Sequence, residues 1–89
     1  MRKAVEIVEV PGEGLEALLL KRVTLLCMNY FYNGTLVGVN DTFVKLEDAS
    51  IVYETGEWSS KSYKDSQSLP SDIYVMTSAI EAFGELKAT

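Results

Sequence analysis

Few side chains in this sequence could carry out chemistry. The chain has no histidine, which excludes Ser–His and Cys–His nucleophiles and metal sites that contain histidine. Its single cysteine, Cys27, lies in the apolar run from Val23 to Met28, which favours a buried thiol over a nucleophile. Glu47 and Asp48 fit a solvated strand end, because nothing sets two carboxylates at a catalytic spacing. The sequence therefore predicts a protein that is not an enzyme and that has no metal ion or cofactor.

Length and composition predict a small domain that associates with other chains. The chain has 89 residues, of which 47% are hydrophobic, so residues 1–89 form one domain with more apolar side chains than a thin core needs. A homo-oligomer would bury the apolar side chains that the core cannot hold. The alternative is a monomer with single hydrophobic side chains scattered over its surface.

The net charge limits the class of partner that we expect, and targeting signals limit the expected location. The net charge is −5 and the eight basic residues form no dense block, which weighs against general phosphate binding and makes double-stranded DNA an unexpected partner. A local positive groove stays open as an alternative. Glu6 and Glu9 interrupt the apolar residues near the start, so we expect neither a signal peptide nor a membrane span. The lone cysteine predicts a reducing, cytoplasmic environment.

The first third of the sequence predicts an arm, a helix and a strand. Residues 1–12 are β-prone up to Pro11 and favour an N-terminal arm or an extra strand. Residues 13–22 place leucines on one face, with acidic residues first and basic residues last, which predicts a short helix. The almost continuous apolar run Val23–Tyr32 is typical of a strand that is buried on both faces.

The turn after this strand has two possible positions. Asn33-Gly34 is the strongest hairpin signal in the chain, and the pattern alone slightly favours it. The alternative is a turn at Met28-Asn29, which would leave Gly34 and Gly38 inside a sharply curved second strand.

The rest of the chain predicts further strands and one contested segment. Residues 43–54 and 73–76 are β-prone, and the serine-rich residues 59–72 between them predict a loop or the tip of a long hairpin. The contested segment is residues 79–86. A possible capping box, Ser78 to Glu81, stands at its start, and its local propensity favours a helix.

The order of these elements, and three motifs, resemble the Sm and Sm-like family, which includes bacterial Hfq. The motifs are Val23-Thr-Leu-Leu-Cys27, Gly34-Thr-Leu-Val-Gly38 and Leu46-Glu-Asp-Ala49, and the resemblance covers roughly residues 15–83. It implies a mainly β fold in which a short N-terminal α-helix precedes a strongly bent, five-stranded antiparallel sheet, closed into a small barrel over residues 23–86. It also implies a turn near Asn29 and a final strand at residues 79–83.

The resemblance further implies closed homo-oligomeric rings, in which the fourth strand of one subunit pairs with the fifth strand of the next. Single-stranded RNA or other proteins are the further partners it suggests. The interface residues that we expect on these two strands are Ile73, Tyr74, Val75, Ile80 and Phe83.

The base-binding pocket that the resemblance implies is altered in this chain. The position of the family's asparagine falls on Phe43 or Val44, and the positions of its arginine and the next glycine fall on Met76 and Thr77. Phe43 could stack on a base, although packing into the core is the favoured alternative, and Asn40 could supply an amide. The candidate RNA-binding residues are Asn40, Asp41, Phe43, Met76, Thr77 and Ser78.

Two functions follow from the sequence. The first is an Sm-like ring that binds single-stranded RNA or a ribonucleoprotein partner through this altered pocket or another face. The second is a non-enzymatic oligomeric scaffold that has lost RNA binding, and the missing asparagine and arginine and the net charge of −5 favour it. An enzyme ranks third, because no nucleophile and base are paired.

Overall fold

The computed structural model describes residues 12–87. Within this range the chain forms antiparallel strands and two short 3-10 turns, at Glu16–Leu18 and Thr77–Ala79. The predicted arm over residues 1–12 lies, apart from Gly12, outside the described residues. The strands are β1 (Arg22–Cys27), β2 (Phe31–Val39), β3 (Phe43–Glu54), β4 (Asp65–Ser68), β5 (Ile73–Met76) and β6 (Ile80–Gly84).

All six strands belong to one sheet, in the order β4-β3-β2-β1-β6, and β5 also pairs with β3. The long strand β3 uses its first half to pair with β5, where Val44 lies opposite Val75, and its second half to pair with β4, where Val52 lies opposite Ser66. The strand β4 lies in the segment predicted as a loop or hairpin tip, so the sheet has six strands where five were predicted. The mainly β, antiparallel fold is confirmed.

The sheet is not closed, so the predicted closed barrel is wrong. The strands β5 and β6 are separated only by the turn Thr77–Ala79, yet β5 bonds to β3 and β6 bonds to β1 at the other end of the sheet. No pairing joins β5 to β6 in the described range. Each of these two strands therefore has one edge without a neighbour among residues 12–87.

Gly34 lies inside β2, where the register of the pairing with β3 shifts. A Cβ atom at this position would come within 3.0 Å of the Leu46 Cβ and 3.1 Å of the Glu47 carbonyl oxygen, so only glycine allows the two strands to approach this closely. The turn falls between Cys27 and Phe31, as the resemblance implies, and the interpretation of Asn33-Gly34 as a hairpin turn is wrong.

The core lies on one face of the sheet. Residues of β1, β2, β3 and β5 face it, such as Val23 and Leu25 of β1, because successive strand side chains point to opposite faces. Thr24, on the opposite face of β1, is also fully buried, so β1 is buried on both faces as predicted. The buried cluster contains Val23, Leu25, Cys27, Leu36, Val44, Leu46, Ala49 and Val75, and Leu15 and Leu18 pack against it.

The helix predicted for residues 13–22 is absent. Only Glu16–Leu18 form a 3-10 turn, with no side-chain hydrogen bond at its N-terminus. Leu20 and Lys21 pair with the backbone of β2: the Leu20 N–H donates to the Leu36 carbonyl at 2.6 Å, and the Leu36 N–H donates to the Lys21 carbonyl at 3.0 Å. Because a helix over residues 13–22 would need the Leu20 N–H for its own bonds, pairing with the sheet replaces it.

Residues 80–84 form the strand β6, in which Phe83 lies opposite Leu25 of β1. The final strand implied by the resemblance is confirmed, and the helix favoured by local propensity is wrong. Pairing with β1 supplies backbone partners for this segment that an isolated helix of this length could not match in water.

Candidate functional site

The turn between β2 and β3 is held by Asn40. The side-chain Oδ1 of Asn40 accepts hydrogen bonds from the backbone N–H groups of Thr42 at 2.7 Å and Phe43 at 2.8 Å. The backbone N–H of Asn40 donates to the Phe43 carbonyl at 3.0 Å. Asparagine favours such turns because its short side chain mimics a backbone carbonyl. The amide oxygen of Asn40 is therefore already used within the turn.

Thr77 joins this turn to the connection between β5 and β6. The Thr77 hydroxyl donates to the carbonyl oxygens of Asp41 at 2.8 Å and Thr42 at 3.1 Å, and its N–H donates to the Thr42 carbonyl at 2.9 Å. Met76 lies opposite Phe43 in the sheet, and the exposed Ser78 follows Thr77. The structure thus brings together the candidate residues at 40–43 and those at 76–78.

Phe43 lies on the outer face of β3, because its neighbour Val44 faces the core. Its ring is half-buried and packs edge-on against the ring of Tyr74, with centroids 5.1 Å apart and planes at 88°. Packing of Phe43 into the core, which the sequence favoured, is therefore not observed. The two rings form an aromatic surface next to the turn of Asn40, and Tyr74 is 60% exposed.

The charges around these rings nearly cancel. The Lys45 ammonium lies 5.6 Å from the centre of the Tyr74 ring and 3.7 Å from a carboxylate oxygen of Asp72. Asp41 adds an exposed carboxylate in the adjacent turn. The surface has stacking groups but no surplus of positive charge, which an anionic ligand would need.

A cavity of about 370 Å³ opens between the turn after β1 and the strand β5. Its wall includes Cys27, Tyr30, Tyr32 and Met28, and Tyr74 borders both this cavity and the aromatic surface around Phe43. Met28 is 82% exposed at the rim. The predicted interface residues of β5, Ile73, Tyr74 and Val75, line the same cavity.

The other predicted interface residues lie at the opposite edge of the sheet. Ile80 and Phe83 belong to β6, which pairs with β1 and is an end of the sheet. The Phe83 side chain is 40% exposed. The two groups of predicted interface residues thus lie on β5 and β6, which are two of the three strands that have only one neighbour among the described residues; the third is β4.

A buried polar cluster behind β1 and β2 escaped the sequence analysis. Asn33 is fully buried; its Nδ2 donates to the Thr24 hydroxyl at 2.9 Å, and its Oδ1 accepts from Arg22 at 2.6 Å. The hydroxyls of Thr24 and Tyr63 share a further hydrogen bond. No periodic pattern predicts this cluster, because asparagine before glycine is more often a turn residue than a buried strand residue.

The cluster also reaches the end of the described chain. Asn33 Nδ2 donates to the Lys87 carbonyl at 3.2 Å, and the Lys87 side chain is buried beside Trp58 and Tyr63. Lys87 is one of the eight basic residues of the sequence, and lysine is usually exposed. Its burial fixes the segment after β6 against the connection between β3 and β4.

Burial changes the ionisation of two groups. It raises the pKa of the Cys27 thiol, and the nearby carboxylate of Glu81 raises that pKa further, which keeps the thiol protonated and weakly nucleophilic. Burial also raises the pKa of Tyr63, although hydrogen bonds from Thr24 and Asn33 partly oppose the shift. Neither group is prepared for catalysis at neutral pH.

Over residues 12–87, no cluster of three or more His, Cys, Asp or Glu side chains could hold a metal ion. None of the helical segments in that range is both long and apolar enough to span a membrane. Comparison with known proteins finds no matching family model, no matching curated protein and no matching solved structure. The resemblance to the Sm and Sm-like family therefore stays a prediction.

Proposed function

We propose that this protein is a non-enzymatic module that assembles with copies of itself into a closed ring, as its resemblance to the Sm-like family implies. The observation that carries the proposal is that β5 and β6 each have a free edge in the described part of the sheet. The third free edge there, on β4, consists of exposed polar residues and is the less suitable one for an apolar interface. A free edge exposes a row of unpaired N–H and C=O groups, which a strand of a second copy can satisfy.

Side chains next to these edges support the proposal. Tyr74 and Met76 on β5 and Phe83 on β6 expose between 40% and 60% of their surfaces. Aromatic and methionine side chains are enriched at protein interfaces, and large exposed apolar patches are rare on monomers. Because the two edges differ, β5 of one copy pairs with β6 of the next, which generates a ring when the rotation closes.

The first experiment measures the mass of the particle. Light scattering during gel filtration at micromolar concentration should report several subunits for the native chain. Phe83→Asp should reduce the mass to one subunit, because assembly would bury an unpaired carboxylate at the β6 edge.

Leu20→Asp is the matched control, since it adds the same charge at a leucine that is 78% exposed and lies outside β5 and β6. This variant should assemble like the native chain, and circular dichroism should show both variants folded. A native chain that runs as a monomer at these concentrations would contradict the proposal.

Single-stranded RNA is the second candidate, favoured by one observation. Phe43 and Tyr74 form an accessible aromatic surface next to the turn of Asn40, and bases stack on such rings irrespective of their sequence. The cancelled charge around Lys45 and Asp72 makes the expected affinity low.

A cytoplasmic location accords with the free thiol of Cys27.

The second experiment measures binding of a labelled oligo-U or oligo-A at low salt. Phe43→Ala should weaken binding by about 1–3 kcal/mol, the usual contribution of one stacked base. Tyr53→Ala, which removes an exposed ring elsewhere on β3, should leave binding unchanged. Absence of binding at low salt by the native, assembled protein would leave the scaffold function alone.

A further inference from the structure

The described chain ends with a buried lysine. Lys87 is 6% exposed, and its side chain enters the connection between β3 and β4, formed by residues 55–64. Lysine is almost never buried unless its ammonium group has partners, because removing a charge from water is costly. The surroundings of this ammonium group therefore define a site.

Three backbone carbonyls receive the ammonium. Lys87 Nζ donates to the carbonyl oxygens of Thr55 at 2.7 Å, Glu57 at 2.7 Å and Ser62 at 3.1 Å. An ammonium group has three N–H donors, so these acceptors match its full capacity. All three belong to the same short connection.

Two aromatic rings complete the site. The Lys87 ammonium lies 4.9 Å from the centre of the Tyr63 ring and 5.5 Å from that of Trp58, and the two rings meet edge-on at 84°. Both distances lie within the range of a cation–π interaction. We call the carbonyls of Thr55, Glu57 and Ser62 and the rings of Trp58 and Tyr63 the ammonium cage.

The cage binds the cation without a charged partner. Among the described residues, no carboxylate makes an ion pair with Lys87, and Glu54, the acid that precedes this connection, pairs with Lys64 instead at 3.4 Å. Neutral carbonyls and rings therefore supply the whole stabilisation of the charge. Such a set of carbonyls and rings distinguishes between cations by the number and direction of their N–H donors as well as by their charge.

The connection also has bonds of its own that shape the cage. The Ser60 N–H donates to the Glu57 carbonyl at 3.0 Å, and the Lys64 N–H donates to the Thr55 carbonyl at 3.3 Å. The Tyr63 hydroxyl is tied to Thr24 of β1. These contacts involve no atom of Lys87. They therefore hold part of the cage in place independently of the lysine that fills it.

From this geometry we propose that residues 55–63 form a binding site for a primary alkylammonium ion, which the side chain of Lys87 fills in the intact chain. The ligand class is an unbranched alkyl chain that ends in an ammonium group. A quaternary ammonium ion lacks the three N–H donors that the carbonyls accept, and a neutral alcohol lacks the charge. The proposal does not depend on ring assembly or RNA binding.

Emptying the site and refilling it tests the proposal. Lys87→Ala removes the Cγ, Cδ, Cε and Nζ atoms, and n-propylammonium replaces them atom for atom. Trp58 is the only tryptophan of the chain, so its fluorescence reports the state of the cage. Titration with n-propylammonium chloride should change the Trp58 emission of Lys87→Ala in a saturable way and should raise its melting temperature.

Three controls make the result specific. Tetramethylammonium and n-propanol should act at least about tenfold more weakly, because each lacks part of the recognised group. The native chain and Lys61→Ala, which removes an exposed lysine in the same connection, should not respond, since Lys87 fills their cage. Equal responses to n-propylammonium and tetramethylammonium would overturn the proposal.

A second measurement uses the intact chain, so the test stands even if Lys87→Ala does not fold. In NMR spectra of the native protein labelled with ¹⁵N-lysine, the Nζ protons of Lys87 should exchange with water much more slowly than those of Lys61. Three carbonyl partners and burial protect the former, whereas the latter is exposed. Equal exchange rates for the two lysines would show that the cage does not hold the ammonium, and would overturn the proposal.

Discussion

At the scale of single residues, several polar side chains stabilise the fold through hydrogen bonds within the chain. Asn40 closes a turn, Thr77 joins two connections, and Asn33 donates to Thr24 of β1 and to the Lys87 carbonyl after β6. Each of these residues uses hydrogen-bonding capacity that a ligand would otherwise receive. The side chains best placed to meet a ligand are therefore the rings of Phe43 and Tyr74.

Cys27 provides a pH test at the same scale. Because its thiol pKa is raised in the folded chain, the folded state holds the proton more tightly than the unfolded state. The resulting stability is complete below the pKa of an exposed thiol, about 8.5, and is lost as pH rises through the raised pKa. Urea unfolding from pH 7 to 10 should show this loss for the native chain.

Cys27→Ala should lose about 1 kcal/mol of stability at pH 7, since it leaves a small cavity, but its stability should fall less steeply between pH 8.5 and 10. The raised pKa of Tyr63 affects both chains alike at the upper end of this range. Parallel pH profiles for the two chains would contradict the shift at Cys27.

At the scale of strands, the close approach of β2 to β3 depends on one of the two glycines in β2. A Cβ on Gly34 would meet the Leu46 Cβ at 3.0 Å and the backbone of Glu47 and Ala49 at 3.1 and 3.3 Å, whereas a Cβ on Gly38 would meet only the Lys45 Cβ at 3.5 Å. Gly34→Ala should therefore destabilise the protein by about 1–3 kcal/mol through overpacking.

Gly38→Ala is the matched control and should change the free energy of unfolding by less than about 1 kcal/mol, because the added methyl makes an ordinary contact. Urea unfolding of the two variants and the native chain measures both effects. Equal stabilities for the two alanine variants would mean that β2 and β3 do not approach as closely at Gly34 as described.

The same scale shows what the sequence could and could not predict. The strands at 43–54 and 73–76 were predicted with the observed bounds, because apolar β-prone runs bounded by turn residues are local signals. Local propensity gave the wrong secondary structure in two segments whose partners are distant in sequence, although the resemblance implied the strand in the second of them. Residues 13–22 exchange helical bonds for bonds to Leu36, and residues 80–84 pair with β1.

The candidate site divides in the same way. The proximity of Asn40, Phe43 and Thr77 follows from two connections that the resemblance already placed side by side. The burial of Asn33 and Lys87 does not follow from local sequence, because each residue type is usually exposed and its partners lie 9 to 54 positions away. Distant contacts of single polar residues leave no periodic pattern to read.

For the whole molecule, salt distinguishes the two proposed functions. Each chain has a net charge of −5, so copies repel one another, and salt screens this repulsion over a distance of about 10 Å at 0.1 M. Raising NaCl from about 50 to 500 mM should strengthen assembly or leave it unchanged, because burial of apolar edge residues is not weakened by screening.

Binding of RNA should respond in the opposite direction, since salt competes with contacts to phosphate. Sedimentation velocity for the assembly and fluorescence anisotropy for RNA, over the same salt series, give both dependences. Dissociation of the particle by salt would contradict an interface formed by strand edges and apolar side chains.

Tyr74 has a consequence that reaches beyond either function. Its ring touches Phe43 on one side and borders the cavity next to the free edge of β5 on the other. A neighbouring copy that covered this ring would change the surface offered to a stacking base, and a bound base would change the fit of the neighbour. Affinity for nucleic acid and the tendency to join copies would then be thermodynamically linked, each altering the other by the same factor.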